Sequence, residues 1–449
     1  MLLKYICPDK LAQVPELPAS LFSPQTWPFN LEWLPRAAYL VGGNVRDALL
    51  GRHAEYLDLD FVLPEGAVKT AKAIAQHYHA GFVLLDADRQ IARVVFEHAT
   101  VDFAQQVGDS LEEDLWRRDF TVNAIAYNPH TDQLIDPLQG YRDLQQKTIR
   151  MIAPANLKED PLRLLRAYRQ SAQLGFALES KTQSTIHQLA SLLQDIAAER
   201  VQGELSYLIN SAKGTIALTR AWQDGLFAHW LPHATASSLA RVAAVDWAAI
   251  ALKDSWHELG QTGWIKEQQK GTRSWSKIAK LACLVDPNPQ IAESELWHLK
   301  YSRSEVQAVL TVMRAALQIP QGSLPTDLNL ADLSLREQYF LFRGVGAAFP
   351  AWVLVAIAVG VELRAIEPLI QRFLTLNDPV AHPTPPLTGR DLMTTLKLSP
   401  GPQIGQLLEA VQLAQAEGQV NSHQEALDFA VNFASGNFHR VKCDKVDRL

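Results

Sequence analysis

The chain has 449 residues, 47% of them hydrophobic and 20% charged, with a net charge of -6. At roughly 150 residues per domain this allows about three domains with packed cores. The charge balance excludes a global basic signature, although a local basic patch is enough for an RNA ligand.

Cys7, Cys283 and Cys443 are odd in number and far apart. That spacing argues against a disulfide framework or a cysteine metal site and predicts a reducing, cytoplasmic location. The opening segment MLLKYICPDKLAQ lacks the apolar core of a signal peptide. Residues 1–35 hold several prolines and little periodicity, and are expected to form an extension laid over the first domain. From Tyr39 short apolar runs (YLVGG, DLDFVL, GFVLLDA, RVVFEHATVDFA) alternate with a helical stretch from Gly66 to His79. This patterning predicts an α/β head over 36–150.

Within the head, Leu57-Asp58-Leu59-Asp60-Phe61 alternates strictly. On a strand Asp58 and Asp60 share one face, with Leu57, Leu59 and Phe61 on the other. Two carboxylates so placed suit oxygen-seeking divalent cations, Mg²⁺ first, and a two-ion site. A solvated strand edge is the alternative for such a common motif. Upstream, an apolar strand runs into Gly42-Gly43 and then a short helix carrying Arg46. Glycines let backbone N–H groups approach a phosphate, and Arg46 adds a charge-assisted contact. An ordinary strand–turn–helix junction would look the same. Asp102, in the alternating Thr100-Val101-Asp102-Phe103, is a candidate third metal ligand or else a solvent-facing aspartate. Ser110-Leu-Glu-Glu113 reads as a capping box opening the helix that carries Trp116, Arg117 and Arg118.

After Arg150 the strands are expected to stop. PLRLLRAYRQSAQLG, TQSTIHQLASLLQDIA and VQGELSYLIN repeat apolar residues at helical spacing, and helical character runs to about Leu376. No run of about 18 apolar residues occurs, which argues against a membrane span. The most apolar stretch, Phe349 to Leu363, is followed at once by Arg364 and reads as a buried core helix. PVAHPTPP, residues 379–386, reads as a linker before a last helical unit. Its Leu387-Thr-Gly-Arg-Asp-Leu and Leu398-Ser-Pro-Gly-Pro-Gln-Ile-Gly segments read as glycine turns between short helices.

Five segments resemble the class II tRNA nucleotidyltransferases and the related bacterial poly(A) polymerases. They are LVGGNVRDALLG with DLDFVL, RRDFTVNA (117–124), IDPLQGYRDL (135–144), EDPLRLLRA (159–167) and ERVQGEL (199–205). The likeness is close over 36–210 and looser from Leu387. Gln139 stands where the family has the first glycine of a pair, a departure expected to affect only a turn. The resemblance implies an α+β protein: a small head with a mixed β-sheet and helices, then an all-helical neck (151–215), body (216–378) and RNA-binding tail (387–449).

The resemblance further implies that Arg118 meets the triphosphate, Asp119 accepts from a ribose hydroxyl, and Asn123 supports the same site. It gives Asp160 and Arg163 the reading of the incoming base. Cytosine and adenine both present an amino donor beside a ring-nitrogen acceptor, which match a carboxylate and a guanidinium. Arg166 and Arg169 would lie nearer the phosphates or the RNA, a solvated arginine stripe being the alternative. Glu199, Arg200 and Glu204 are expected to form a structural ion-pair network. Asp58 and Asp60 would hold two Mg²⁺ ions for in-line transfer of CMP from CTP, and AMP from ATP in a full CCA-adding member, to a tRNA 3′ end.

Between the catalytic sheet and the RRDFT helix, only AQQVGDS, Ala104 to Ser110, separates Phe103 from Leu111. That shortness favours a member that adds CC and leaves the last A to a separate enzyme. A full CCA-adding enzyme, an A-adding enzyme and a poly(A) polymerase are the alternatives within the family. A nonenzymatic RNA-binding protein is the alternative outside it, disfavoured by the intact aspartate pair. A small-molecule nucleotidyltransferase is disfavoured by the long helical body.

Overall fold

The computed structural model describes residues 4–6, 22–52, 56–255, 274–317, 330 and 333–446. The chain divides into two compact units, Met1–Pro232 and His233–Leu449.

The first unit is built on a mixed eight-stranded sheet. In chain order the strands are β1 (Lys4–Ile6), β2 (Tyr39–Val41), β3 (Leu57–Leu63), β4 (Gly81–Asp86), β5 (Ile91–Val95), β6 (Ala99–Gln105), β7 (Ala126–Asn128) and β8 (Gln133–Ile135). Their spatial order is β1-β8-β7-β2-β3-β6-β5-β4. β3 and β6 run parallel with Asp60 opposite Asp102, and β5 pairs antiparallel with β6 so that Arg93 faces Asp102. The alternation in β3 behaves as a two-sided strand requires: Leu59 and Phe61 are buried while Asp58 is exposed.

Phe61 stacks on Phe103 at 5.6 Å, and Phe29 packs against both at 6.0 and 6.2 Å. Phe22 stacks on Tyr127 at 4.5 Å. The N-terminal extension, where described, therefore does lie over the head; most of residues 1–21 falls outside the described residues. The helix expected over Gly66 to His79 is α2 (Ala67–His77), following α1 (Gly43–Leu49).

α3 (Leu111–Trp116) begins at Ser110, whose hydroxyl accepts from the Glu113 N–H at 3.2 Å. The capping box is incomplete, because the Glu113 carboxylate accepts from Asp109 N–H (2.8 Å) instead of returning to Ser110. α3 also ends earlier than expected: Arg117 is its C-cap, and Arg118 lies beyond it. α4 (Gly140–Gln145) is capped by Gln139, whose φ of 57° is left-handed. The residue replacing the family's glycine thus adopts a glycine-like conformation. Gly140 is required by space, since a Cβ there would lie 2.2 Å from the Thr121 carbonyl oxygen.

Strands do not stop at Arg150. β9 (Thr148–Ile149) pairs with a two-residue strand β10 (Ala177–Leu178), clipping the first neck helices to the head. Those helices are α5 (Pro154–Glu159), α6 (Leu162–Leu174), α7 (Ser180–Leu189) and α8 (Ala198–Asn210). The next, α9 (Ala212–Gln223), packs on α6 and α8, and Trp230 Nε1 donates to the Leu193 carbonyl at 3.1 Å. The first unit therefore extends to 232, past the expected neck end at 215, because α9 buries its apolar face inward.

The second unit is helical. Phe349–Ala358 is its central helix, with Phe349 through Ala356 all buried. The continuous helical stretch Leu335–Ala358 is long and apolar enough to cross a membrane by length and composition, yet most of it is packed inside this unit. Cys283 is buried here, and burial pushes its thiol up to about 12. Cys7 lies outside the described residues. The segment read as a linker is irregular but partly packed, with Val380 and Ala381 buried. In the last helices the expected glycine turns are only partly seen. Gly389 and Gly405 sit inside helices Gly389–Leu396 and Pro402–Ala416, and Lys397 makes the turn at φ 53° ahead of Gly401.

Candidate active site

A cleft of about 490 Å³ in the first unit brings together Gly42, Gly43, Arg46, Asp58, Asp60, Arg118, Asp119, Asn123, Asp160, Arg163, Arg166 and Arg169. Of the residues singled out in the sequence as nucleotide- or metal-binding, only Asp102 does not line it. Gln170 and Arg200 line it as well, so six arginines face four aspartates. A cleft of that composition suits a polyanion held beside a cation.

Its floor is the junction of β2 and β3. Gly42 has φ 77° and ψ -142°, and a Cβ there would stand 3.1 Å from Asp60 Oδ2 and 3.7 Å from Arg118 Nη1. Only glycine lets the turn approach the aspartate strand this closely. Asp58 Oδ1 accepts from Thr100 Oγ1 at 2.6 Å. Asp102 is spanned by Arg93, with Nε at 2.7 Å and Nη2 at 2.8 Å. Burial, with Asp102 and Asp58 close by, pushes the Asp60 carboxyl up to about 7, against the opposing pull of Arg118 and Arg93. A carboxyl raised in this way has less counter-charge than its burial demands, and a divalent cation shared with Asp58 would add to it. The residues present therefore fit a metal. Asp102, already bridged by Arg93, is the weaker candidate ligand. Among the described residues no cluster of three or more His, Cys, Asp or Glu is arranged to hold an ion.

One wall is a buried polar network around Asp119. Its Oδ1 accepts from the Phe120 N–H (2.8 Å) and Asn123 Nδ2 (2.9 Å), and its Oδ2 from Arg166 Nε (3.1 Å) and Nη2 (3.0 Å). Burial alone would raise this carboxyl, but Arg166, Asn123 and the Phe120 amide outweigh it and hold it below the ordinary range. With both oxygens engaged, Asp119 sets the positions of Arg166 and Asn123. Asn123 also accepts from Arg46 Nη1 (2.8 Å) and donates to Gln170 Oε1 (2.9 Å). Arg118 is held by Asp114 at 3.0 Å, while its Nε–H is buried with no partner among the described residues. An orphaned donor at the cleft is the kind of group a phosphate oxygen would satisfy.

The far end is made by α6 and α8. Arg163 Nη1 donates to the carbonyls of Arg117 (2.8 Å) and Asn156 (3.0 Å), and Asn156 in turn donates to Trp116 and Arg118 carbonyls, both at 2.7 Å. Arg169 pairs with Glu204 and donates to Gln173 Oε1 at 2.6 Å, which fixes its place at the cleft. Glu204 also lies 3.7 Å from Arg166. The expected network of Glu199, Arg200 and Glu204 does not form as one unit: Arg200 pairs with Asp160 and Glu204 with Arg169 and Arg166, all within the neck, while Glu199 is exposed at the start of α8. Gln170 is not among the residues that the sequence singles out; its signal is its place on the Arg163–Arg166 face of α6, one turn beyond Arg166.

A mixed sheet bearing paired aspartates, a glycine turn beside them and an arginine-lined neck together define a nucleotidyltransferase. The comparisons agree. Residues 38–150 match the Poly A polymerase head domain, 175–237 the RNA and SrmB-binding site of polymerase A, and 269–430 a tRNA nucleotidyltransferase domain 2 family. The CC-adding tRNA nucleotidyltransferase of Synechocystis sp. is 48% identical over 90% of this chain and 96% of its own length. The CC-adding tRNA nucleotidyltransferase of Geobacter sulfurreducens is 31% identical over 87% and 90%, and the A-adding tRNA nucleotidyltransferase of Deinococcus radiodurans 30% over 89% and 96%. The fold matches the Thermotoga maritima CCA-adding enzyme complexed with tRNA, with a TM-score of 0.64 at 21% identity over 88% of this chain and 91% of that one. The chain belongs to the tRNA nucleotidyltransferase family, and it is a template-independent RNA nucleotidyltransferase.

Proposed function

We propose that this enzyme adds two CMP residues from CTP to a tRNA 3′ end, releases pyrophosphate each time, and leaves the terminal A to a separate enzyme. The observation that carries this reading is the connection between β6 and α3. It is only Gln106–Ser110, and it is tied down: Val107 N–H donates to Asp114 Oδ1 at 3.2 Å and Asp109 N–H to Glu113 Oε2 at 2.8 Å. Gly108 is at φ 86°, where a Cβ would meet Glu113. A segment this short and pinned cannot act as the long flexible loop that the resemblance associates with A addition. The 48% identity to a CC-adding relative supports the same choice.

In the reaction the RNA 3′-hydroxyl oxygen bonds to the α-phosphorus of CTP as the bond to the β-phosphate oxygen breaks. Members of the family use divalent metals. Here Asp58 and Asp60 would hold them, Mg²⁺ being the natural ion, and the metal would supply charge neutralisation at the attacking and leaving oxygens. Arg118 and the Gly42–Gly43 turn receive the triphosphate. Arg46 holds Asn123, and Asp119 holds Arg166, so these groups are set before substrate arrives. Asp160 and Arg163 read the cytosine edge. Positioning and fixed charge carry the catalysis. The first unit, with the head (36–150) and the neck, carries the chemistry, the helical second unit with its tail (387–449) holds the RNA, and the protein works in the cytoplasm.

The test is extension of tRNA lacking its CCA end with Mg²⁺ and CTP, ATP or both, resolved at single-nucleotide length. Two additions from CTP and none from ATP support the reading. A third addition with ATP replaces it with full CCA synthesis.

A further inference from the structure

Arg200 reaches into the cleft from the first turn of α8, a helix otherwise concerned with packing the neck. Its Nη2 donates to Asp160 Oδ2 at 2.9 Å, while Asp160 Oδ1 accepts from the Leu162 N–H at 3.3 Å. The pair is open to solvent, with side-chain exposures of 50% for Arg200 and 27% for Asp160. An ion pair so exposed adds little to stability, so holding the fold together does not explain it. What it does fix is the Asp160 carboxylate, which is gripped at both oxygens. Its partner Arg163 is fixed from the other side by two backbone carbonyls.

We propose that Arg200 is a specificity-determining residue, clamping the Asp160 carboxylate so that only an amino-bearing base edge is accepted. This rests on the reading that Asp160 and Arg163 face the incoming base. Cytosine offers an amino donor to the carboxylate and a ring-nitrogen acceptor to the guanidinium. Uracil reverses both, placing a carbonyl against the carboxylate. A clamped carboxylate cannot avoid that oxygen and repels it. A carboxylate free to swing moves toward the uracil ring N–H and accepts from it, and Arg163 then donates to the carbonyl. Rejection of uracil therefore depends on fixing the acceptor, a penalty built against the wrong ligand rather than extra affinity for the right one.

The experiment uses the full chain with tRNA lacking its CCA end, and compares kcat/KM for CTP and UTP in wild type, Arg200→Ala and Arg200→Lys, with thermal unfolding alongside. The expected result for Arg200→Ala is a fall of about tenfold in the CTP-to-UTP ratio through gained UTP incorporation. Partial recovery in Arg200→Lys and an unmoved unfolding midpoint complete the expectation. An unchanged ratio in Arg200→Ala, or equal losses with both nucleotides, overturns the role of Arg200 and leaves Asp160 and Arg163 as base readers. A wild-type enzyme that takes UTP as readily as CTP overturns both assignments.

Discussion

Asp60 offers the sharpest test of the metal assignment, because its proton and a cation compete for the same oxygens. Its carboxyl is raised to about 7 by burial and by the charges of Asp102 and Asp58. With that value, about one molecule in ten carries the carboxylate at pH 6 and about nine in ten at pH 8. The apparent affinity for Mn²⁺, used as a spectroscopic substitute for Mg²⁺, should therefore rise about tenfold between those pH values, with release of a proton below pH 7. Titration calorimetry in buffers of different ionisation enthalpy reads both quantities. Asp60→Asn should bind weakly and with little dependence on pH. Wild-type affinity that is flat from pH 6 to 8 would refute the combination of a raised carboxyl and a ligand role for it. The same shift has a stability signature. A folded-state value above the unfolded one means the native state holds the extra proton. That contribution is full below about pH 4 and is lost as pH rises through about 7. In EDTA, the wild-type unfolding midpoint should drop across this window more steeply than that of Asp60→Asn.

Gly42→Ala places a side chain at φ 77° and 3.1 Å from Asp60 Oδ2. It should lower stability by about 1–3 kcal/mol and cut CMP incorporation severely, as thermal unfolding and primer extension would measure. Gln139→Gly relieves a left-handed residue at φ 57° and should raise stability by about 0.5–1 kcal/mol in a denaturant titration. Ser110→Ala removes the hydroxyl that caps α3 and should cost about 1 kcal/mol by the same titration. Glu204→Gln weakens the hold on Arg169 and Arg166, and should raise KM for CTP more than it alters the unfolding midpoint.

The parts of the site that were legible in the sequence are those set by short-range geometry. The two-residue repeat of Leu57 to Phe61 puts Asp58 and Asp60 on one face whatever the sheet around them, and Gly42 before a short helix marks a close turn. The α6 arginines share a cleft because helical spacing brings Arg163 and Arg166 to one side. Features that depend on strand register or on packing between helices were not legible. Arg93 is nine residues from Asp102 in the chain but meets it only because β5 and β6 pair in one particular register. Gln170 looks like any polar helix residue until Asn123 arrives from the head. Glu113 has the right spacing for a capping box, yet the tight turn at Gly108 brings the Asp109 amide to it first. For the same reason α9 could not be assigned by pattern: its amphipathic face shows that it packs, and only the fold shows that it packs on α6.

The rings of Phe22, Trp27 and Phe29 lie ahead of the recognised head, which begins at residue 38. Trp27 and Phe29 nonetheless form the back wall of the strand that bears Asp58 and Asp60, with Trp27 standing 5.1 Å from Phe61. A fragment cut at residue 38 would keep every polar group proposed for the chemistry and expose Phe61 and Phe103 to water. It would be expected to aggregate before its activity could be assayed. The stretch of chain that can be recognised by its motifs is thus shorter than the stretch that must fold together, and the difference is a hydrophobic plug.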